Sequence, residues 1–179
     1  MSEQKSIYRR AAAWGIPFGL YLSVAAVAFI YGDHLPVLNI FVMLMALMAP
    51  VLVYRYQRQT LREEDGLTSH AALWMMGILI YMFGALVASL VAYALIVFVR
   101  PDFMYEHLEH FLSVYESTPA TASTEMAQTM RDMLDKGLVP QSIDMVLSMF
   151  WFVSFFGSVL SAFTAWLARR MFVRNTFKN

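Results

Sequence analysis

Four stretches of this chain contain no Asp, Glu, Lys or Arg: residues 11–31, 35–54, 71–99 and 145–168. A helix needs about 20 apolar residues to cross roughly 30 Å of hydrocarbon, and each stretch meets that length. Soluble core helices rarely run so far without a charge. The excess is visible in bulk as well. Apolar residues make up 59% of the 179 and charged ones 15%, against about 45–50% and about 25% in soluble domains. The reading is an all-α polytopic membrane protein, a single four-span membrane domain with four transmembrane helices.

The flanking charges orient it. Lys5, Arg9, Arg10, Arg55, Arg58, Arg62, Arg169, Arg170, Arg174 and Lys178 fall on one side of such a threading, and only Arg100, Arg131 and Lys136 on the other. Basic residues are retained on the cytoplasmic side, so both termini are expected there. The acids run the opposite way, with Glu3, Glu63, Glu64 and Asp65 on the basic side and nine on the other. Trp14, Trp74 and Trp166 fall near the inner ends of their spans and Trp151 near an outer end, as interfacial anchoring expects.

Ala26-Val27-Ala28 after a basic start resembles a cleavable leader, but the apolar run is longer than a usual one and a second span follows almost at once. Gly32 and Pro36 read instead as the turn of a helical hairpin. The third stretch, at about 1.5 Å per residue, reaches about 43 Å and must tilt or project beyond the hydrocarbon. Thr68 or Ser69 is placed to cap its start after the Asp65-Gly66 turn.

Residues 101–143 form the sizeable polar region, read as an extracytoplasmic insert of two helices. Pro101 suits a first helical turn. Met104, Leu108, Phe111, Leu112 and Tyr115 recur on one face, and Asp102, Glu106, Glu109, Ser113 and Glu116 on the other. Ser117-Thr118-Pro119 ends this helix, and a Thr/Ala/Ser linker follows. A second begins near Glu125 with Met126, Met130 and Met133 on one side, and Gly137 follows its end before Pro140 opens the last span. An acidic face is repelled by anionic headgroups, which favours packing of the insert on protein over the lipid surface.

Candidate sites are few. Glu106 and His110 stand four apart and could share a metal, but zinc wants three or four ligands and His34 and His70 fall on opposite sides; a solvated helix face explains the pair better. Without cysteine there is no disulfide, thiolate site or Cys nucleophile. No catalytic, cofactor-binding or metal residue is expected, and no nucleic-acid partner. The spans hold no acid or base, which argues against a self-contained pump, proton-coupled transporter or intramembrane hydrolase. Small residues recur every four positions: Gly15, Gly19 and Ser23; Gly84, Ala88 and Ala92; Gly157, Ser161 and Ala165; and, beside the last, Ser154, Ser158 and Ala162. Such rows let helix backbones approach closely, within the monomer or at a seam with a second copy or a partner. The methionine-rich second and third spans read as core filler, and Arg169, Arg170 and Arg174 as a lipid-headgroup contact.

Phe98-Val99-Arg100-Pro101-Asp102-Phe103, leaving a long third span, together with Glu64-Asp65-Gly66-Leu67-Thr68 before that span, resembles a bacterial integral-membrane family of unknown function, numbered four-one-nine-nine. The resemblance implies four spans, an aromatic-x-Pro-Asp-Phe exit from the third, and an extracytoplasmic helical insert before the fourth. It implies no established activity. Many members carry an Asn-Pro or similar pair before the Asp, where this chain has Arg100-Pro101. Neighbourhood with a polyprenol-phosphate-type glycosyltransferase implies a link to envelope glycan chemistry.

Three functions follow in order of preference. The first is a non-enzymatic accessory or scaffold protein of the bacterial inner membrane, binding a membrane partner such as a glycosyltransferase through the insert (Asp102, Phe103, Glu106, His110) or the small-residue rows. The second is a carrier or lipid-handling helper for polyprenol-linked sugars, with a hydrophobic groove between spans. The third is an enzyme using the outer carboxylates.

Overall fold

The computed structural model describes residues 7–32, 35–116, 128–132, 136 and 141–176. Five helices carry the chain: α1 (Ile7–Ile30), α2 (Pro36–Glu63), α3 (His70–Phe98), α4 (Phe103–Glu116) and α5 (Ser142–Thr176). Residues 128–132 are also helical, and no strand occurs among the described residues. α1, α2, α3 and residues 142–173 of α5 are long and apolar enough to cross a membrane, so the protein is a four-span helical membrane protein. Glu125, Met126, Met133, Gly137, Pro140 and the linker from Ser117 to Thr124 lie outside the described residues, as do Lys5 and Lys178.

The helices run past the uncharged stretches, most of all α2, which continues nine residues beyond Tyr54. Absence of charge marks where hydrocarbon begins; it does not mark where a helix stops. In α2 one side stays buried every fourth residue, through Met45, Ala49, Val53, Gln57 and Leu61, so packing carries the helix across Arg55, Arg58 and Arg62. It ends in two residues of positive φ, Asp65 at 49° and Gly66 at 79°, with the Gly66 amide donating back to the Leu61 carbonyl at 2.8 Å. Gly66 also faces the Phe172 ring so closely that a Cβ would lie 2.6 Å from it. Ser69, not Thr68, caps α3, its hydroxyl accepting from the Ala72 amide at 3.2 Å. Thr68 donates to the Glu64 carboxylate instead.

α3 packs against α1 on one side and α5 on the other, and α2 closes the ring against α1 and α5. The short α1–α2 connection makes neighbours, whereas the α2–α3 connection crosses the bundle, since these two helices barely touch. α1 and α3 are the most buried spans; α2 and α5 turn most of their surface outward. Alternating direction puts Arg9, Arg10, Arg55, Arg58, Arg62, Arg169 and Arg170 at the end that carries the termini. Arg100, Asp102, Glu106, Glu109 and Asp144 stand at the other. One core, holding Phe18, Val53, Leu61, Leu73, Met76, Ile80 and Tyr81, fills the terminal half. A smaller one, of Ala26, Ile30, Ala92, Ile96, Phe103 and Val146, fills the other half.

Candidate functional site

The small-residue rows meet one another inside the bundle. At Gly15 an added Cβ would lie 2.6 Å from the Cβ of Phe83, and at Gly19 it would lie 2.7 Å from that of Val87. From the other side, a Cβ on Gly84 would sit 2.6 Å from the Phe18 ring and 3.5 Å from the Gly19 nitrogen. α1 and α3 thus run side by side, each bulky residue seated on the other helix's glycine. Ser23 turns its hydroxyl to the Gly19 carbonyl of its own helix at 2.8 Å, and Ala88 and Ala92 are buried further along the same seam. The α3–α5 seam is built alike: the Tyr81 ring rests on Gly157, Ser161 fits against Gly77, and Ala165 is fully buried.

The stretch that leaves α3 forms a tight corner. α4 starts at Phe103, two residues after Pro101, with the Phe103 amide donating to the Arg100 carbonyl at 3.1 Å and the Glu106 amide to that of Asp102 at 3.0 Å. Arg100 reaches back to α1, donating to the Ile30 carbonyl at 2.7 Å. That caps the end of α1, where a cation is favoured. Its other nitrogen pairs with the Glu106 carboxylate. The guanidinium lies 5.4 Å from the Tyr31 ring and 5.7 Å from that of Phe103. Phe103 is fully buried, and His107 stacks on it at 5.3 Å while meeting Phe29 at 5.8 Å. The inward face of α4 is therefore Phe103, Met104, His107, Leu108 and Leu112; Asp102, Glu106, Glu109 and His110 are exposed. Among the described residues Glu106 and His110 gather no third ligand, and no metal-holding cluster occurs.

Between the four spans, in the half opposite the termini, lies a cleft of about 520 Å³. All four membrane helices line it, among them Leu22, Ala26, Val42, Ala92, Val146 and Phe152. The lining is almost wholly apolar; Ser148 alone carries a polar side chain. Alanines at 25, 26, 46 and 92 leave the room that larger side chains would fill. Of the residues expected as sites, Ala92 alone belongs to this lining. Phe103 stands just beyond it, in the same core as Ala92 and Ile96.

Residues 13–170 match the model of the family described as "Protein of unknown function (DUF4199)". The chain belongs to that family. No curated protein and no solved structure matches it.

Two features of this DUF4199 protein are not among the residues that charge or small-residue spacing picks out. Gln57, fully buried, is one. Its amide donates to the Leu73 carbonyl at 3.2 Å and to the Ser161 carbonyl and hydroxyl, each at 3.4 Å, joining α2, α3 and α5. Ser161 in turn donates to the Trp74 carbonyl at 3.0 Å. The residue sits among arginines and looks like part of a solvated connection; the four-residue stripe from Met45 is the signal that places it inside. His107 is the other. Its spacing of four from Phe103 marks the inward face, whereas the Glu106–His110 pair draws attention to the outward one.

Proposed function

We propose that this DUF4199 protein is a non-enzymatic accessory protein of a bacterial inner membrane, with both termini cytoplasmic, that holds the hydrocarbon part of a lipid between its spans. The cleft carries this reading. Its volume falls within the roughly 300–1,000 Å³ of small-molecule sites. Its walls offer hydrocarbon contact and almost no hydrogen bonding. The glycine seams support it by subtraction, since they are consumed within the monomer and are not free for a partner. So does α4, whose Phe103 and His107 are spent on the corner with α1 and α3. The carboxylates of Asp102, Glu106 and Glu109 stand on an exposed face, with Glu106 bound to Arg100, an arrangement that solvation and capping explain without a reaction. The family resemblance extends the ligand class to the isoprenoid chain of a polyprenol-linked sugar.

The test is native mass spectrometry of protein extracted in mild detergent. A bound lipid is expected on the wild type and is lost from Ala92→Phe, which fills the cleft. A wild type that carries no lipid, or an Ala92→Phe protein that carries as much, overturns the reading. If polyprenol-linked species are the ligand, they are enriched over the bulk phospholipids of the same membrane.

A second reading rests on the outward faces of α2 and α5. These neighbouring helices expose Phe41, Leu44, Phe152, Phe155, Phe163 and Trp166, a broad apolar wall on which a membrane partner such as a glycosyltransferase, or a second copy, docks. Lipid covers such a wall equally well, because hydrocarbon gives no hydrophobic drive to helix association. Recovery of a stoichiometric partner in mild detergent, lost on Phe155→Ala together with Phe163→Ala, supports docking; recovery of the chain alone overturns it.

A further inference from the structure

The ring of four spans is closed unequally, and the geometry points to a side door: the cleft opens between the first halves of α2 and α5 and takes a hydrocarbon chain from a single leaflet, the one at the end opposite the termini. This rests on the lipid-holding reading and adds to it the route and the leaflet.

Two edges of the ring are sealed at the level of the cleft, and a third is tied at both of its ends. α1 and α3 are locked by the glycine ladder and, further along, by buried Ala26, Ala92 and Ile96. α3 and α5 meet through Val146, buried with Ala92 and Ile96. α1 and α2 are tied at the outer end by the Asn39 amide, which donates to the Gly32 carbonyl at 3.5 Å, and at the inner end by the Tyr21 hydroxyl, which donates to the Met45 carbonyl at 2.6 Å. The fourth edge differs. From Leu35 to Leu44 no residue of α2 is buried, whereas from Met45 on a buried residue returns every fourth position. In α5, Val146 alone is buried between Gln141 and Val153, and it faces α3. The hydrogen bonds that extend from α2 to α5 start at Gln57 and Tyr54, in the terminal half. The two helices are pinned there and part toward the other end.

The position selects the occupant. The opening lies in hydrocarbon, where the surrounding molecules are lipids, and its nearly unbroken apolar lining rejects a headgroup. On α5 the lining runs from Met145 to Val153, about 12 Å at 1.5 Å per residue. One leaflet supplies about half of the roughly 30 Å core. The cleft therefore ends before the bilayer midplane. Tyr21, one residue inward of Leu22 and bonded to the Met45 carbonyl beside Ala46, marks its inner end. A chain lying in it keeps its headgroup at the interface, level with the starts of α2 and α5.

The chain has no cysteine, so a single Ser148→Cys carries a photoactivatable maleimide into the cleft, and Leu90→Cys on the outward side of α3 serves as the control. Both are reconstituted in vesicles with radiolabelled phosphatidylglycerol confined to one leaflet. The Ser148 adduct is expected with label in the leaflet facing the α1–α2 turn and falls to background with label in the other. Ala46→Trp, which narrows the opening, removes the adduct; Ala46→Leu, which disturbs the helix less, weakens it. Equal adducts from both leaflets, or adducts unmoved by both variants, overturn the side door while leaving a bound lipid in place. No adduct from either leaflet, on protein that retains lipid through purification, overturns the door alone; no retained lipid overturns both readings.

Discussion

At the scale of single residues, the glycines of the α1–α3 seam set how near two backbones come. Gly19→Val would drive a branched side chain into Val87, whose Cβ already lies 2.7 Å from where the first new carbon would be. Overpacking of this kind costs about 1–3 kcal/mol. The expected outcome is a lower thermal unfolding midpoint in detergent with the oligomeric state unchanged; a seam between copies would change the oligomer instead. Gln57 gives the opposite lesson about magnitude. In a water-soluble core, breaking such a buried network would cost about 1–3 kcal/mol. In a membrane the unfolded reference also finds partners, and measured interhelical hydrogen bonds average about 0.6 kcal/mol. Gln57→Leu, which keeps the volume and removes the amide whose Oε1 has no partner in the core, is therefore expected to shift stability by less than about 1 kcal/mol. A loss several times larger, by reversible denaturation in mixed micelles, would show that the amide holds α2 to α3 and α5.

At the scale of elements, α4 hangs on one side chain more than on its amphipathic pattern. Phe103 is fully buried among Ala26, Ile30, Ala92, Ile96 and Val146 and sits under both Arg100 and His107. Phe to Ala at a buried site costs about 3–5 kcal/mol. Because the bundle keeps its own seams, the loss falls on α4: Phe103→Ala is expected to raise amide exchange across residues 103–116 while α1 and α3 stay protected. Uniform exchange across the protein would mean that α4 supports the bundle rather than the reverse. These helices also mark what a sequence can disclose. Rows of small residues are local facts, so Gly15, Gly19 and Gly84 stand out by spacing alone. Which row meets which depends on the order of helices around the ring, and spacing carries no such information. Gly77 and Gly84 share a helical register seven residues apart, yet Gly84 meets α1 and Gly77 meets Ser161 of α5, a difference spacing does not carry. Helix ends were the least legible, because charge reports the solvent, and α2 runs through a change of solvent without breaking. The cleft was hidden for a related reason. Ala92 reads as a seam residue and is one, buried with Ala26 and Ile96, yet it also borders the void beside Ala25 and Ala46, which belong to no small-residue row.

For the molecule as a whole, the charge pattern and the ring agree on which groups share an end, and that agreement decides what a topology experiment should find. Arg9, Arg10, Arg62 and Arg169 lie at the end with the termini, and that end is tied together from within: Arg10 pairs with Glu63 at 3.4 Å and with Glu64 at 3.2 Å, joining the first turn of α1 to the last of α2. The proposed orientation keeps this basic collar on the cytoplasmic side, since moving it across the bilayer means dragging several cations through hydrocarbon at roughly 2.5–3.5 kcal/mol each on insertion scales. The opposite end holds the corner of Arg100, Glu106 and His107, and His110 is exposed beside it. In intact bacterial cells with a permeable outer layer, a membrane-impermeant maleimide should label His110→Cys and leave Arg62→Cys untouched until the inner membrane is opened, the native chain giving no background because it has no cysteine. The reverse pattern would turn the bundle over and move the side door to the cytoplasmic leaflet, where a lipid assembled inside the cell would be met before it crossed rather than after.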